Sequence, residues 1–328
     1  MKIFCYARPS SPRIPRTDFS LSISEHPFAT STAWDDVHPA DADYILVPVT
    51  FRVEIPGLHS IQHYNGGDIM VPFVFRGQRS GEPELRNDLR EAIVRAFLNN
   101  FPHYEKYPEK HVFIDNGDLG TPCPPLCGSI LFQTNPSYQH SSVLTLPQNV
   151  PDPGPPRPIA EAQIDVSFQG HLDQHPIRKA LGSWSTRETE LTVEFRPSGS
   201  SIFMVDGATR FDMVRTGFEL MRRSRFVLSP RGRGTGSRRL YEILAHGRIP
   251  ILISDAYKLP LEGVINWERF LVRVPEGFTG LTASYVFEFL HQHDLKEASE
   301  LARRTYLEYF APPSFRRFLE LSLATRKQ

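Results

Sequence analysis

Residues Arg225–Asp255 read RFVLSPRGRGTGSRRLYEILAHGRIPILISD. The apolar run FVLS predicts a strand, RGRGTG a glycine-rich loop, SRRLYEILAH a helix ended by Gly247, and RIPILISD a second strand. A strand, glycine loop and helix in that order bring backbone N–H groups and the positive end of the helix dipole to one point, which favours a phosphate. Arg231, Arg233, Arg238 and Arg239 could add bidentate contacts to a diphosphate. Gly232 and Gly236 are the close-approach positions of this candidate site, and Ser237 is an N-cap or a direct phosphate ligand. Glu242 lies one turn beyond Arg239 and could accept hydrogen bonds from two ribose hydroxyls; it could equally form an i,i+4 surface pair with Arg238. The loop lacks the Lys-Ser/Thr ending of a P-loop, and glycines at 232, 234 and 236 break the GxGxxG spacing, so neither familiar nucleotide fingerprint applies.

Outward from this stretch the same alternation continues. IDVSFQG, SIFMVD and RFVLS read as strands, with HPIRKALGS and DMVRTGFELMRRS as the helices between them. Nearer the start, KIFCYA, ADADYILVPVTF, HVFID and SSVLTLPQNV read as strands, and LRNDLREAIVRAFLNN (Leu85–Asn100) as a helix. Between the two series lies PDPGPPRP (Pro151–Pro158), five of whose eight residues are proline, which reads as a linker. Two βα series predict an α/β protein of two Rossmann-like domains with parallel sheets facing a cleft. We place them at residues 1–155 and 156–310, with 311–328 as a terminal amphipathic helix.

The chain has 328 residues, 40% of them hydrophobic, enough for two cores. Lys+Arg and Asp+Glu each total 37, so no net field would draw it onto nucleic acid, and an anion site must be local. Lys2 precedes an apolar run too short for a signal peptide, and no run of about 18 apolar residues follows. The expectation is a cytoplasmic protein without a transmembrane segment. Three cysteines make no disulfide framework, and Cys123 and Cys127 in TPCPPLCG lack two nearby ligands for a structural zinc site.

From Phe226 to Glu276 the sequence resembles the donor-binding region of the exostosin family of glycosyltransferases. The family pattern is a strand ending Leu-x-Pro-Arg-Gly, a Ser-x-Arg-Leu/Phe-x-Glu-Ala helix, a Gly-x-x-Pro-Val turn, and Leu-Pro before a Trp-containing segment. Here these are similar to Leu228–Gly232, Ser237–Ile243, Gly247–Ile251 and Leu259–Trp267. Weaker echoes, in HPFATSTAWDDVHPADADYILVPV and IDVSFQGHLDQHPIRKAL, spread the resemblance over most of the chain. Two departures stand out: Ile243 replaces the small residue of the Glu-Ala pair, and His171 and Leu172 follow Phe-x-Gly where the family often has basic residues.

The resemblance implies a GT-B glycosyltransferase with an inverting mechanism, a nucleotide-sugar donor in the C-terminal domain, no metal ion and no further cofactor. The donors it admits include UDP-linked glucuronic acid, galactose and xylose, and the acceptor is a glycan, lipid-linked at the inner membrane face in one version. One-step inversion needs a general base for the acceptor hydroxyl and positive groups for the departing diphosphate. Arg231, Arg239, Ser237 and the helix N-terminus are the expected leaving-group stabilisers. Glu54, past the strand YILVPV, is the first candidate base; Asp118 in NGDLG is the second, with Asp115 behind it, although Asp and Gly after a strand also make turns. His26 in EHPFAT is a weaker alternative. Tyr257 and Lys258 could wall a sugar site, and Trp267 reads as core. Two rivals use the same loop differently: a sulfotransferase-like enzyme holding a nucleotide phosphate, and a glycan-binding protein that has kept the fold without catalysis.

Overall fold

A computed structural model of the chain describes residues 1–6, 20–25, 33–47, 49–54, 98–99, 101–115, 128–135, 143–184, 190–200, 205–232 and 234–326. They divide into two units: Met1–Leu146 with Lys258–Pro260 and Phe315–Gln328, and Pro147–Tyr257 with Leu261–Ser314.

The first unit contains strands β1 (Ile3–Cys5), β2 (Ser20–Glu25), β3 (Tyr44–Leu46), β4 (Val49–Glu54), β5 (His111–Asp115), β6 (Ile130–Gln133) and β7 (Val143–Thr145). Five form a parallel sheet in the order β1-β3-β5-β6-β7. Tyr44, Ile45, Leu46, Val112, Ile114, Ile130 and Phe132 are buried, as the near-continuous apolar runs require of a sheet covered on both faces. β2 and β4 pair apart from it as an antiparallel ribbon. The run read as one strand over Ala40–Phe51 is therefore two, β3 in the sheet and β4 in the ribbon; Pro48 between them has no N–H to give a ladder. β6 was not expected at all, and it stands second from the edge between β5 and β7. Of the helix expected over Leu85–Asn100, only Leu98 and Asn99 lie among the described residues.

The second unit contains β8 (Ile164–His171), helix α1 (Pro176–Trp184), β9 (Val193–Ser198), α2 (Gly207–Arg222), β10 (Ser224–Pro230), α3 (Arg238–Ala245), β11 (Ile249–Ile253), β12 (Val272–Arg273), α4 (Thr282–Gln292) and α5 (Leu295–Thr305). Its sheet is parallel throughout, in the order β9-β8-β10-β11-β12. That is the flavodoxin-like winding, in which the chain works outward in both directions and reverses between β8 and β10. The strand expected at Ser201–Asp206 begins outside the described residues and ends at Asp206, the N-cap of α2, whose carboxylate accepts from the Ala208 and Thr209 amides at 3.0 Å. Among the described strands, β9 stands at one edge of the sheet.

Helix α3 buries Leu240, Tyr241, Ile243, Leu244 and Ala245 on one side. It ends in a Schellman motif: the Arg248 amide donates to the Ile243 carbonyl at 3.0 Å and the Gly247 amide to Leu244 at 2.9 Å. Gly247 takes the positive φ of 60° that this ending needs. Arg248, fully buried, then donates to the carbonyls of Met221, Arg222 and Arg157 at 3.2, 2.7 and 2.9 Å. That last bond, an Asp152–Arg303 ion pair at 2.7 Å and the Tyr306 hydroxyl on the Val150 carbonyl at 2.8 Å tie the proline-rich segment down. Pro151–Pro158 thus packs as part of the second unit, and the units divide at Leu146/Pro147.

The terminal helix α6 (Phe315–Thr325) groups with the first unit. Phe318 meets Phe132 at 5.9 Å between ring centroids, Phe315 meets Trp34 at 6.4 Å, and Arg316 holds both oxygens of Asp35 at 2.9 and 3.0 Å.

Candidate functional site

In an open parallel sheet, ligands bind at the carboxyl ends of the strands where the order reverses, because helices leave to opposite faces there and open a crevice. In the second unit that point lies between β8 and β10. Their ladder runs from Ile164↔Ser224 to Ser167↔Val227 and stops. β8 continues to pair with β9 as far as His171↔Ser198, and β10 with β11 as far as Pro230↔Ile253. The last turns of β8 and β10 therefore separate, leaving strand carbonyls to be satisfied by other groups.

Those groups are arginines. Arg239, in the first turn of α3, donates from Nη1 to the Gln169 carbonyl of β8, and its guanidinium carbon lies 5.1 Å from the centre of the Phe168 ring. Burial pulls its pKa down, and nearby Glu242 opposes the shift. Ser237 is the N-cap of α3: its Oγ accepts from the Arg239 amide at 3.3 Å. Arg231 follows the end of β10; its amide donates to the Ile253 carbonyl at 3.0 Å, and Nη1 lies 3.4 Å from Glu276. Glu276 also accepts from the Asp255 amide at 3.1 Å, while Asp255 accepts from the Glu276 amide at 3.0 Å, so the carboxylate facing Arg231 is fixed by backbone. Glu242 pairs with Arg238 at 3.1 Å, the i,i+4 contact, with its carboxylate mostly buried.

Around these side chains several buried polar atoms have no hydrogen-bond partner: Gln169 Oε1, His171 Nδ1, Ser229 Oγ, Arg231 Nε and Thr235 Oγ1. Buried polar atoms are ordinarily paired, so these residues, at or just past the ends of β8 and β10, keep unused hydrogen-bonding capacity. Among the described residues, no three His, Cys, Asp or Glu side chains gather as a metal ligand set.

The glycine loop is shaped from below. A Cβ on Gly236 would stand 2.4 Å from Cε2 of Tyr257, whose hydroxyl meets that of Tyr241 at 2.7 Å. Both tyrosines are buried, so Tyr257 supports the loop rather than walling a sugar site. Gly236→Ala is expected to lower stability by about 1–3 kcal/mol, the usual cost of overpacking, in urea unfolding. A variant as stable as wild type would show that the loop moves freely off the ring. Trp267 is core, stacked on Phe310 at 5.7 Å.

The structure thus brings Arg231, Gly232, Gly236, Ser237, Arg239 and Glu242 together around the end of β10 and the start of α3. Arg233, Asp118 and His26 lie outside the described residues, as do Cys123 and Cys127. Glu54 is the last residue of β4, opposite Ser20 in the ribbon, rather than in a loop after the sheet strand. Glu276 and Arg178 went unread in the sequence. Both come from other segments, and their proximity depends on the winding of the sheet.

The chain thus carries two parallel-sheet α/β units, the second with a basic site at its reversal point. Residues 158–278 match the Exostosin GT47 domain. Exostosin-1 of Drosophila melanogaster is 40% identical over 81 residues, covering 22% of this chain and 11% of that protein. A probable glycosyltransferase of Arabidopsis thaliana is 46% identical over 56 residues, 17% of this chain and 12% of the relative. These matches span about a tenth of each relative's length. A probable glucuronosyltransferase of Oryza sativa subsp. japonica is 24% identical over 308 residues, 84% of this chain and 68% of the relative. Among solved structures, a glycosyltransferase from Rickettsia africae is 12% identical with a TM-score of 0.38, over 76% of this chain and 75% of that one.

Proposed function

We propose that the protein transfers a sugar from a nucleotide-sugar donor, a UDP-sugar in the first instance, to a hydroxyl of a glycan acceptor, with inversion and without a metal ion. The observation that carries this reading is Arg239, set at the N-terminus of α3 and beside the parted ends of β8 and β10, within the exostosin domain. Negative charge grows on the departing diphosphate in the transition state, so a guanidinium and a helix N-terminus aimed at it stabilise that state more than the ground state. Arg231 supplies a second positive group, held by Glu276 until a stronger anion competes. Ser237 and the amides of the glycine loop are the remaining donors. Glu242, already turned toward Arg238, is the ribose partner in this reading.

Deprotonation of the acceptor hydroxyl is assigned to Glu54, with Asp118 as the second choice. Glucuronic acid, galactose and xylose are the sugars to screen first. No helix among the described residues is long and apolar enough to cross a membrane. We place the enzyme in the cytoplasm, reaching a lipid-linked acceptor at the inner membrane face.

Calorimetric titration with UDP, GDP, CMP, ADP and adenosine bisphosphate, in the presence of EDTA, tests the reading. Micromolar binding of one nucleoside diphosphate supports it and selects the sugar panel. Tight binding of adenosine bisphosphate alone would redirect the site to sulfuryl transfer. Binding of none of the five would overturn it.

A further inference from the structure

Helix α1 follows β8, and its sequence reads as a short amphipathic connector. Its first turn is nevertheless tied to the site by Arg178. The Nε of Arg178 donates to the Arg231 carbonyl at 2.9 Å, Nη1 to His171 at 3.3 Å and Nη2 to Pro230 at 3.1 Å. His171 is the last residue of β8 and Pro230 the last of β10, so one planar fork spans the gap left where the ladder stops after Ser167↔Val227. Gln169 and His171 are two residues apart on β8 and present their carbonyls to the same edge. Arg239 takes the first and Arg178 the second. Both guanidiniums lie within reach of the Phe168 ring, at 5.1 and 5.9 Å.

We propose that Arg178 is a positioning residue of the diphosphate site, which holds the ends of β8 and β10 at the separation Arg239 needs to meet the ligand. The inference rests on the nucleotide-sugar reading above and adds to it a residue that need not touch the donor. Burial, and then the charge of Arg239, draw the Arg178 pKa down to about 10, so two cations are kept close together at the strand ends. An ammonium cannot do the same work, because a point charge does not span three separate carbonyls.

Arg178→Lys and Arg178→Gln, compared with wild type and Arg239→Ala, separate the possibilities. The probes are inorganic pyrophosphate and whichever nucleoside diphosphate wild type binds, followed by calorimetry, with urea unfolding run on each variant. The expected result is that Arg178→Lys remains folded but binds at least tenfold more weakly despite its retained charge, with Arg178→Gln as weak or weaker. Should Arg178→Gln be too unstable to purify, Arg178→Lys carries the test alone. Wild-type affinity in Arg178→Lys would show that only charge matters and overturn the positioning role, leaving the donor site intact if Arg239→Ala still loses binding. Absence of diphosphate binding in wild type itself would remove the functional reading, and this inference with it.

Discussion

Arg239→Ala lowers kcat/KM with the nucleotide sugar by at least tenfold, equivalent to about 1.4 kcal/mol of transition-state stabilisation. Among the described residues the side chain makes one hydrogen bond, from Nη1 to the Gln169 carbonyl, so most of its donor capacity is not used by them. It also stands in the first turn of α3, where the amides of the helix start add to its field. A group that meets charge as it develops should affect turnover as well as affinity, so kcat should fall and not KM alone. The fold should tolerate the change. The hydrogen bond lost has a net worth of about 1 kcal/mol, and a desolvated cation is removed with it. Steady-state kinetics with urea unfolding alongside would check both halves. A loss smaller than tenfold in a folded variant would withdraw Arg239 from the leaving-group role.

Acidification from pH 7 to pH 4 removes about 3 kcal/mol of folding stability through His246 alone. The imidazole is buried under the end of α3, with Nδ1 donating to the Glu242 carbonyl at 2.8 Å and its ring 4.9 Å from that of Phe218. Burial first, then the charges of Arg222, Arg248 and Arg303, hold its pKa at about 4 against an ordinary 6.5. The unfolded chain takes up a proton near 6.5 while the folded chain resists until about 4. The stabilisation is therefore complete above the unfolded value and lost as pH falls through this window, at 1.36 kcal/mol for each unit of the gap. Carboxylates titrate in part of the same range, so the comparison that isolates the histidine is wild type against His246→Gln. Wild type should lose about 3 kcal/mol more than the variant between the two pH values in urea unfolding. Equal losses would mean that the folded ring accepts its proton freely.

Much of the second unit can be read from residues 164–255 because its signals agree. β8, β10 and β11 are apolar runs, Ser237 is a cap, and Gly247 is the residue a left-handed helix ending favours. The strand that escaped, β9, is an edge strand of sequence VEFRPS; Val193 and Phe195 alternate with Glu194 and Arg196, so its strand signal is present but only four residues long before Pro197. β6 escaped for another reason: four apolar or amide residues after a proline-rich loop are too short a run to separate strand from turn. The residues of the basic site adjacent to the glycine loop were legible because the loop is contiguous. Arg178 lies 53 positions before Arg231, and nothing in its own neighbourhood indicates that its side chain turns back to the strand ends.

The pairing of α6 with the first unit has a consequence for the order in which the chain can fold. The first unit's sheet is complete by Thr145, yet the aromatic residues that cover Trp34 and Phe132 arrive only with Phe315 and Phe318. Synthesis proceeds from the N-terminus, so residues 147–314 emerge while the first unit still lacks its last layer. The second unit can close around its sheet during translation. The first must wait, with an apolar face open to solvent or to a chaperone, until the residues of α6 have been made.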